Sequence, residues 1–525
     1  MPPAPSLPPR TVAPMTPAAI ASVAVPASSE SSFLSRLRPR RAHVVAGLTL
    51  GVVAEWLVDG PPVGVGLALV ALAAAALTIW AGGSEGWDSA KEHRWLLIVA
   101  AGLFACSALQ DAGWLTALEV VTGVVFAALA VHGWPGETRL ATLSPWRLVG
   151  TPVIVGADAV RAGVVLSARE LKGALDGANM TQKVPAAMRL FAIVVPPVMV
   201  VTALLASGDA SFGARVGQLA DGLLSIPIPS FLRSTFVALA AGVTLVGLFA
   251  LAARRRDRSA TTWTPGRYLK PLEAGALLGT LSAVLFAFGA TTWDCALSPD
   301  TCALPPGVTY AEAAHEGFFQ LLAAAIVILA LLMALPARTA LATDAQRHTF
   351  RALATTLVVG TLPMVLSAIA RMDRYEDAYS LTRLRIMAHA GLVLVGAVMA
   401  WRALTLWIAE ERFVSGALAL VALSLFTLTA LRPDELIARH NLRVGRDGVD
   451  IYYLTTLSDD AAPALVEAMP RLDEAWQKEL RLHLWYRDAI RRETSSVGGW
   501  NVGRARADAA VRSMETAWTQ APASP

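Results

Sequence analysis

The stretch FVSGALALVALSLFTLTAL, residues 413–431, contains no charged residue and is followed directly by the charged sequence RPDEL. A helix of this length just crosses the hydrocarbon layer of a bilayer, which takes about 20 residues. The same arrangement recurs along the chain, where apolar blocks alternate with short breaks that are charged or rich in Pro and Gly. This spacing predicts a chain that crosses a membrane repeatedly as helices.

The overall composition indicates the same class of protein. The 525 residues are 55% hydrophobic and only 16% charged, whereas soluble domains carry about 25% charged residues. The alternation of apolar and polar residues that a membrane β-barrel needs is missing from the sequence. We therefore predict an all-α fold, a polytopic transmembrane helix bundle, because a helix satisfies its own backbone hydrogen bonds in lipid.

The apolar blocks predict about eleven spans, each accurate to a few residues. They cover residues 43–58, 63–81, 95–111, 114–132, 189–206, 233–253, 270–290, 317–335, 353–370, 384–409 and 413–431.

The chain divides into three parts by composition. Residues 1–35 are rich in Pro and Ala and predict a disordered arm, residues 36–431 form the transmembrane domain, and residues 432–525 form a small helical domain outside the membrane. Within the second part, the segment 137–188 is only moderately apolar and carries charges at helical spacing. It is expected to form one or two amphipathic helices on the cytoplasmic surface. The stretch 207–230 is expected to return into the outer interface.

The positions of Lys and Arg predict the orientation, since short cytoplasmic loops retain these residues. A cytoplasmic N-terminus places the cluster Arg36 to Arg41 and the run Arg254 to Arg258 inside, and places the Lys- and Arg-free connection 291–316 outside. An odd number of spans then puts the C-terminal domain outside. This pattern also accounts for the net charge of +4, so the basic residues predict contact with the lipid bilayer and no nucleic-acid partner.

Recognisable catalytic signatures are missing from the sequence. It contains no phosphate-binding loop of the GxxxxGK[ST] kind, no HExxH, no GxSxG and no CxxC. The eight histidines do not pair at metal-ligand spacing. We predict no catalytic residue, cofactor or metal site, although an enzyme without such a motif stays a third possibility.

The three cysteines fall into two groups. Cys106 lies inside an apolar block and is expected to be a packing residue. Cys295 and Cys302 share an outer connection that contains several prolines, so the sequence predicts either a disulfide that closes a short loop or two unpaired thiols.

Ionisable residues within spans are candidates for function because they are costly to bury in lipid. Glu55 and Glu119 lie near span ends and are expected to reach the interface. Arg385 and His389 are four residues apart on one face of the tenth span, where a functional role and a structural pairing are equally compatible with the pattern.

Several short motifs resemble a bacterial membrane-protein family catalogued as domain of unknown function 4173, which is related to family 4153. The resemblance covers about residues 190–510 and rests on Tyr310, Ala311, Glu312, Glu316, Gly317, Phe318 and Phe319, then Tyr379 to Arg385, then Pro433, Asp434, Ile437, Ala438, Arg439, Asn441, Leu442, Asp450, Tyr453, Leu454, Leu457, Ser458, Trp500 and Asn501. It implies a many-spanning protein of the bacterial cytoplasmic membrane and supplies no activity.

These motifs converge on one face of the membrane if the predicted order of spans holds. The outer ends of the eighth and tenth spans and the start of the C-terminal domain then meet, and Glu316 is expected to pair with Arg383 or Arg385. The candidate functional cluster consists of Glu316, Tyr379, Arg383, Arg385 and His389. Three roles are compatible with it: it docks the C-terminal domain, it frames an outward-facing site, or it only pairs helices with each other.

Two function classes lead. The first is a non-enzymatic envelope protein that binds or regulates a protein partner through its C-terminal domain. The second is a transporter or lipid-handling protein, which would explain the prolines Pro196, Pro197 and Pro363 inside spans as breaks at a binding site. Those prolines are equally compatible with kinks in packed helices.

Overall fold

The computed structural model describes residues 37, 40–58, 63–89, 93–134, 140, 145–174, 215, 230–254, 266–297, 310–444, 450–494 and 496–519. The predicted arm 1–35 and the predicted span 189–206 lie outside these residues, and so does most of the stretch 207–230.

Eleven apolar helices form the bundle in this part of the chain. They are α1 (Arg41–Val58), α2 (Val65–Ser89), α3 (Arg94–Ala105), α4 (Gly113–Gly133), α5 (Pro145–Ala174), α6 (Ser230–Ala252), α7 (Pro271–Leu297), α8 (Tyr310–Arg338), α9 (Asp344–Tyr379), α10 (Arg383–Ile408) and α11 (Phe413–Leu431). Five shorter or more polar helices follow: α12 (Pro433–Val444), α13 (Ile451–Thr455), α14 (Ala462–Ala468), α15 (Glu474–Glu493) and α16 (Val502–Thr519).

The predicted fold class is confirmed. Ten of the described helices are long and apolar enough to cross a membrane, and α3 with its following turn, Arg94–Ala108, forms a shorter apolar helix. Within the described ranges the only β-structure is an isolated bridge between Leu269 and Thr339. The protein is therefore an all-α, multi-pass membrane protein.

The helices run in alternating directions between two ends of the bundle. At one end, named here the base end, the His43 ring contacts Trp80 at 4.9 Å, and Arg254 donates a hydrogen bond to the His132 carbonyl at 2.9 Å. At the other, the tail end, Val65 N–H donates to the Trp500 carbonyl at 2.8 Å. Helix α1 begins at the base end and the C-terminal helices lie at the tail end, so the two lie on opposite sides of the bundle. The assignment of the base end to the cytoplasm stays a prediction.

Helix α5 differs from the surface helix expected within 137–188. Its residues Gly150–Leu171 are long and apolar enough to span, and it packs along α6 in antiparallel fashion. Ala159 lies against Gly247, and Gly163 lies against Val243. The charges at helical spacing suggested an amphipathic surface helix, but small residues let this helix enter the bundle although they add little hydropathy. Helix α5 is therefore a candidate span that hydropathy did not assign.

Close backbone contacts at glycine hold α1, α5 and α6 together. A Cβ added at Gly163 would lie 1.8 Å from the Val243 carbonyl oxygen, and one added at Gly51 would lie 2.4 Å from Gly242. No real side chain fits at such distances. Because lipid supplies no hydrophobic force between helices, this close packing is what stabilises their association.

Helix α5 should therefore tolerate no side chain at Gly163, where its backbone lies against that of α6. We expect Gly163→Ala to lower the stability of the purified protein by about 1–3 kcal/mol through overpacking, visible as a lower melting temperature in detergent. Gly156 lies on the same helix, and a Cβ added there would meet no atom of a neighbouring helix within 4 Å. Gly156→Ala is therefore the matched control and should leave the melting temperature unchanged or slightly higher. Equal effects of the two variants would contradict this packing.

Candidate functional site

The C-terminal helices pack on the tail end of the bundle through buried polar contacts. Their own core is apolar and includes Ile437, Leu454, Leu465, Leu480 and Val511. Leu381, from the turn between α9 and α10, joins the same core. The core of the C-terminal domain is thus continuous with the bundle at this turn. Polar contacts around the turn form the rest of the interface between the domain and the bundle.

Asp434 is the centre of the first contact. Helix α11 ends at Leu431, and Arg432 after it has a left-handed backbone with φ 48°. Pro433 then begins α12, a position that suits its fixed φ. This sharp turn directs the Asp434 carboxylate, which is fully buried, back toward the bundle. There it accepts hydrogen bonds from Arg383 Nε at 3.0 Å and Nη2 at 2.6 Å, and from the Ser458 backbone N–H at 2.7 Å.

Arg383 is placed for this pairing by the start of α10. Thr382 is the N-cap of the helix, and Arg383 follows it at the tail end. Its guanidinium also donates to the Thr456 carbonyl at 3.0 Å, while its backbone N–H donates to the Tyr453 hydroxyl at 2.9 Å. The bidentate ion pair with Asp434 joins the tenth helix to α12. The other two contacts join it to α13 and to the residue that directly follows α13.

A second contact joins the turn between α3 and α4 to the domain. Arg504 Nη2 lies 2.7 Å from Asp111 Oδ1, and Asn501 Nδ2 donates to the Gln110 carbonyl at 3.1 Å. In return, the Asp111 backbone N–H donates to Asp460 Oδ2 at 2.7 Å. Asp459 N–H donates to Asp111 Oδ2 at 3.1 Å, so donors and acceptors cross this interface in both directions.

The carboxylates of the interface differ in their electrostatic surroundings. Burial acts to raise the pKa of Asp434, but the hydrogen bonds from Arg383 and Ser458 outweigh it and hold that pKa below its usual range. Burial raises the pKa of Asp460 to about 6, with a further contribution from the nearby Asp111 and Asp434 charges. Burial also raises the pKa of Asp111 despite its pairing with Arg504. The interface thus contains one strongly ionised carboxylate and one that is protonated readily.

His389 forms a third cluster, between α9 and α10 and beside the domain interface. Its Nδ1 lies 2.9 Å from Glu376 Oε1 and its Nε2 lies 3.2 Å from Asp373 Oδ1. The three side chains bring their ligand atoms within 4.8 Å of one another. Since the carboxylates contact opposite ring nitrogens, a cation could take one ring nitrogen and the carboxylate beside it as direct ligands, while the other carboxylate orients the ring. The same geometry suits an imidazolium that donates to both carboxylates and ties α9 to α10.

The predicted cluster is thus only partly brought together in the described structure. Arg383 docks the domain, and Arg385 donates to the Ser380 carbonyl at the start of its own helix. His389 pairs with acidic residues of α9. The side chains of Glu316 and Tyr379 lie outside the described part of the structure, and so do the Cys295 side chain and Cys302, so the Glu316 pairing and the disulfide stay predictions. Cys106 is buried, as expected.

Glu119 was expected near the interface, yet it is fully buried. Its carboxylate accepts a hydrogen bond from Gln110 Nε2 at 3.3 Å and another from the Thr429 hydroxyl of α11. Partners on two other elements keep it inside the bundle, and hydropathy does not report such partners. Glu55 is half-buried on α1.

Sequence reasoning also missed Asp111, Asp460 and Arg504 as interface residues. The run Ser458, Asp459 and Asp460 indicated a helix start, and a short turn does begin there. A local signal of this kind does not reveal a contact between residues that are 349 positions apart.

Comparison with known protein families identifies the family of the chain. The model described as Domain of unknown function (DUF4153) matches residues 97–468, more than half of the chain. The chain belongs to this family. DUF4153 is a relative of family 4173, the family that the motifs most resembled. Membership of family 4173 stays a prediction. The matched part of DUF4153 includes Asp111, Arg383 and Asp434 and ends before Asn501. No curated protein and no solved structure matches the chain.

Removal of the Asp434 charge should loosen the domain. Asp434→Ala leaves Arg383 half-buried without its carboxylate, and breaking a buried ion pair in this way costs about 3–5 kcal/mol. We expect faster proteolysis within residues 432–519 of the full-length protein and a lower melting temperature. The matched control is Asp344→Ala, which removes the carboxylate of an exposed pair with Arg347 whose aspartate is 97% exposed. Such a surface pair contributes about 1 kcal/mol or less, so a similar loss in both variants would refute the role of Asp434.

Docking of the domain should weaken as the pH rises through the range in which Asp460 loses its proton. Its pKa is about 6 in the docked state against an ordinary value of 3.8, so the docked state binds more protons. Stability therefore falls between about pH 4 and 6 and is level above that range. The pKa of Asp111 is shifted in the same direction. The pKa values of Asp434 and Glu435 are lowered, so these two groups change the stability only at lower pH.

The neutral variant Asp460→Asn tests this dependence. It keeps an acceptor for the Asp111 N–H and removes the buried charge, so we expect a stability gain on the order of 1–3 kcal/mol at pH 7. The melting temperature should also depend less on pH between about 4 and 6. Asp459→Asn is the neighbouring control: it weakens the ion pairs with Arg487 and Arg491 and should lower the melting temperature at pH 7. A drop for Asp460→Asn as well would show that its charge stabilises docking.

Proposed function

We propose that this member of DUF4153 is a non-enzymatic protein of the bacterial cytoplasmic membrane whose C-terminal domain binds a partner protein outside the membrane. The observation that carries the proposal is an apolar face on α15 that is exposed among the described residues.

Helix α15 has two contrasting faces. Leu480, Leu484 and Asp488 are buried within the domain, and Arg491 pairs there with Asp459 at 2.6 Å. On the opposite face, Leu482, Trp485 and Tyr486 are 65%, 55% and 60% exposed. Their spacing of three and four residues places them side by side on the helix surface.

The chemistry of this face suits protein recognition. Trp and Tyr are enriched among the residues that dominate binding energy at interfaces, and they do so when a partner desolvates them fully. Charged side chains surround the apolar residues, among them Lys478, Glu479 and Arg492. An apolar centre with a polar rim is the usual composition of such an interface.

The firm attachment of the domain supports a binding role too. The ion pairs at Asp434 and Asp111 hold the domain on two separate parts of the bundle. A partner therefore meets a surface that is already ordered, and it loses less affinity to the cost of ordering. Because the same ion pairs join the domain to the helices, a force that a partner exerts on the domain acts directly on the helices.

The rival function, transport or lipid handling, draws little support from Pro363. Helix α9 continues through this proline from Asp344 to Tyr379. A Cβ added at Gly289 of α7 would lie 3.3 Å from the Pro363 ring, so the proline packs against a glycine of the neighbouring helix. This contact favours a packing role over a break at a substrate site. Pro196 and Pro197 lie outside the described residues.

Photocrosslinking in cells tests the proposed face. A photoreactive amino acid at position 486 of the full-length protein should give an adduct with one protein, whereas the same group at Ser513, exposed on α16, should not. Trp485→Ala should reduce that adduct by roughly tenfold or more, because a central aromatic contributes about 2 kcal/mol or more. The identical adduct from both positions, adducts with lipid alone, or no adduct at position 486 would each reject the proposal.

A further inference from the structure

A cavity of about 200 Å³ opens at the base end, on the side of the bundle away from the C-terminal domain. It lies where the ends of α8 and α10 meet the start of α9 and the connection before α7. At roughly 30 Å³ per water molecule, the cavity has room for several waters or for one bulky polyatomic ion. The residues that line it include Arg267, Thr339, Arg347, Phe350, Arg351 and Glu410.

The walls of this cavity are held by backbone hydrogen bonds. Tyr268 and Leu269 N–H both donate to the Arg338 carbonyl, at 3.1 and 3.0 Å, and Ala340 N–H donates to the Leu269 carbonyl at 3.0 Å. Thr343 and Gln346 cap the start of α9 reciprocally. The connections on both sides of α8 are therefore fixed to each other, and the cavity is a formed part of the fold.

The charge inside the cavity is predominantly positive. Three guanidinium groups line it against one carboxylate, Glu410. That carboxylate already pairs with the buried Arg402 at 3.0 Å, and Arg402 completes its bonding with the Leu332 carbonyl. Glu410 thus neutralises Arg402 and leaves the arginines of the cavity without an acidic partner inside it.

Arg351 has the least ordinary position of the three arginines. It lies seven residues beyond the first residue of α9, about 10 Å along the helix axis, and within the apolar segment Asp344–Ala370. Among the described residues, neither Arg351 nor Arg267 has a salt bridge or donates a side-chain hydrogen bond. Arg347 pairs only with the exposed Asp344. An arginine in a membrane-spanning segment needs an anion or water to offset its desolvation.

We propose that this cavity binds a phosphate group, held by Arg267 and Arg351 with Arg347 at the rim. The planar guanidinium donates in pairs to phosphate oxygens. The buried residues Thr339 and Phe350 form part of the cavity wall, while Arg267 and Arg347 are exposed and reachable from solvent. The phosphate belongs either to an anionic lipid headgroup at the membrane surface or to a free phosphate compound, and both offer the same oxygens to the arginines.

A general excess of positive charge at this end does not by itself account for the arrangement. Topology requires only that Lys and Arg lie in the flanking connections, where water and lipid headgroups solvate them. Here two arginines that are far apart in sequence line one concave space, and one of them lies within the apolar segment. This convergence is the property of a binding site.

Binding to the purified full-length protein in a neutral detergent tests the proposal. Two probes distinguish the sources: phosphatidylglycerol, followed as a retained lipid by native mass spectrometry with phosphatidylcholine as the zwitterionic comparison, and radiolabelled inorganic phosphate. We expect the double variant Arg267→Gln with Arg351→Gln to lose at least roughly tenfold in affinity, as expected for the loss of charged hydrogen bonds. The matched control is Arg443→Gln, because Arg443 is exposed in the C-terminal domain at the other end.

A second variant keeps the test decisive if the double variant fails to fold. Leu341→Trp places a large side chain at the cavity wall and retains all three arginines, so it should weaken binding by a similar factor. Selective loss of phosphatidylglycerol in these variants identifies a lipid headgroup, and selective loss of inorganic phosphate identifies a free phosphate compound. Binding that survives both variants, binding that falls equally in Arg443→Gln, or no binding of either probe would overturn the proposal.

Discussion

A buried charge at the tail end determines how this protein is assembled. Asp434 is inaccessible to water, and such a carboxylate is tolerated only when several donors satisfy it. Arg383, from a different part of the chain, supplies two of them and the Ser458 backbone a third. The position of α12, the approach of α13 and the start of α10 all follow from this requirement. Two apolar surfaces could shift along each other, whereas this interface satisfies the hydrogen bonds of Asp434 in one arrangement only.

Much of the architecture could be read from the sequence because membrane crossing leaves a strong signal. The uncharged block 413–431 predicted a span, and helix α11 occupies the same residues, Phe413–Leu431. Helix α5 shows where that signal fails: its Ala and Gly residues add little hydropathy, and its charges resemble those of a surface helix. What decides its position is a close fit to α6, which depends on three-dimensional shape rather than on hydropathy.

The candidate site was harder to predict, for a related reason. Arg383 could be singled out because an arginine at a span end needs a partner, but that partner is Asp434 on α12, 51 residues further along the chain. Asp111 and Asp460 have still less local signal, since each is an ordinary acidic residue in a turn until the fold brings them together. The same difficulty applies to Glu119 inside the bundle. Its carboxylate is buried because Gln110 and Thr429 donate hydrogen bonds to it, and the sequence does not reveal these partners. Pairing across long sequence separations requires the fold first.

Ion pairs hold the C-terminal domain on the bundle at two places that belong to different groups of helices. Arg504 and Asp460 contact the turn between α3 and α4, whereas Asp434 contacts the start of α10. A body fastened to both groups acts as a brace, because the groups cannot rotate against each other at the tail end while both attachments remain. Relative movement of the helices must then pivot about that end and be largest at the base, where no such brace is attached in the described part of the chain.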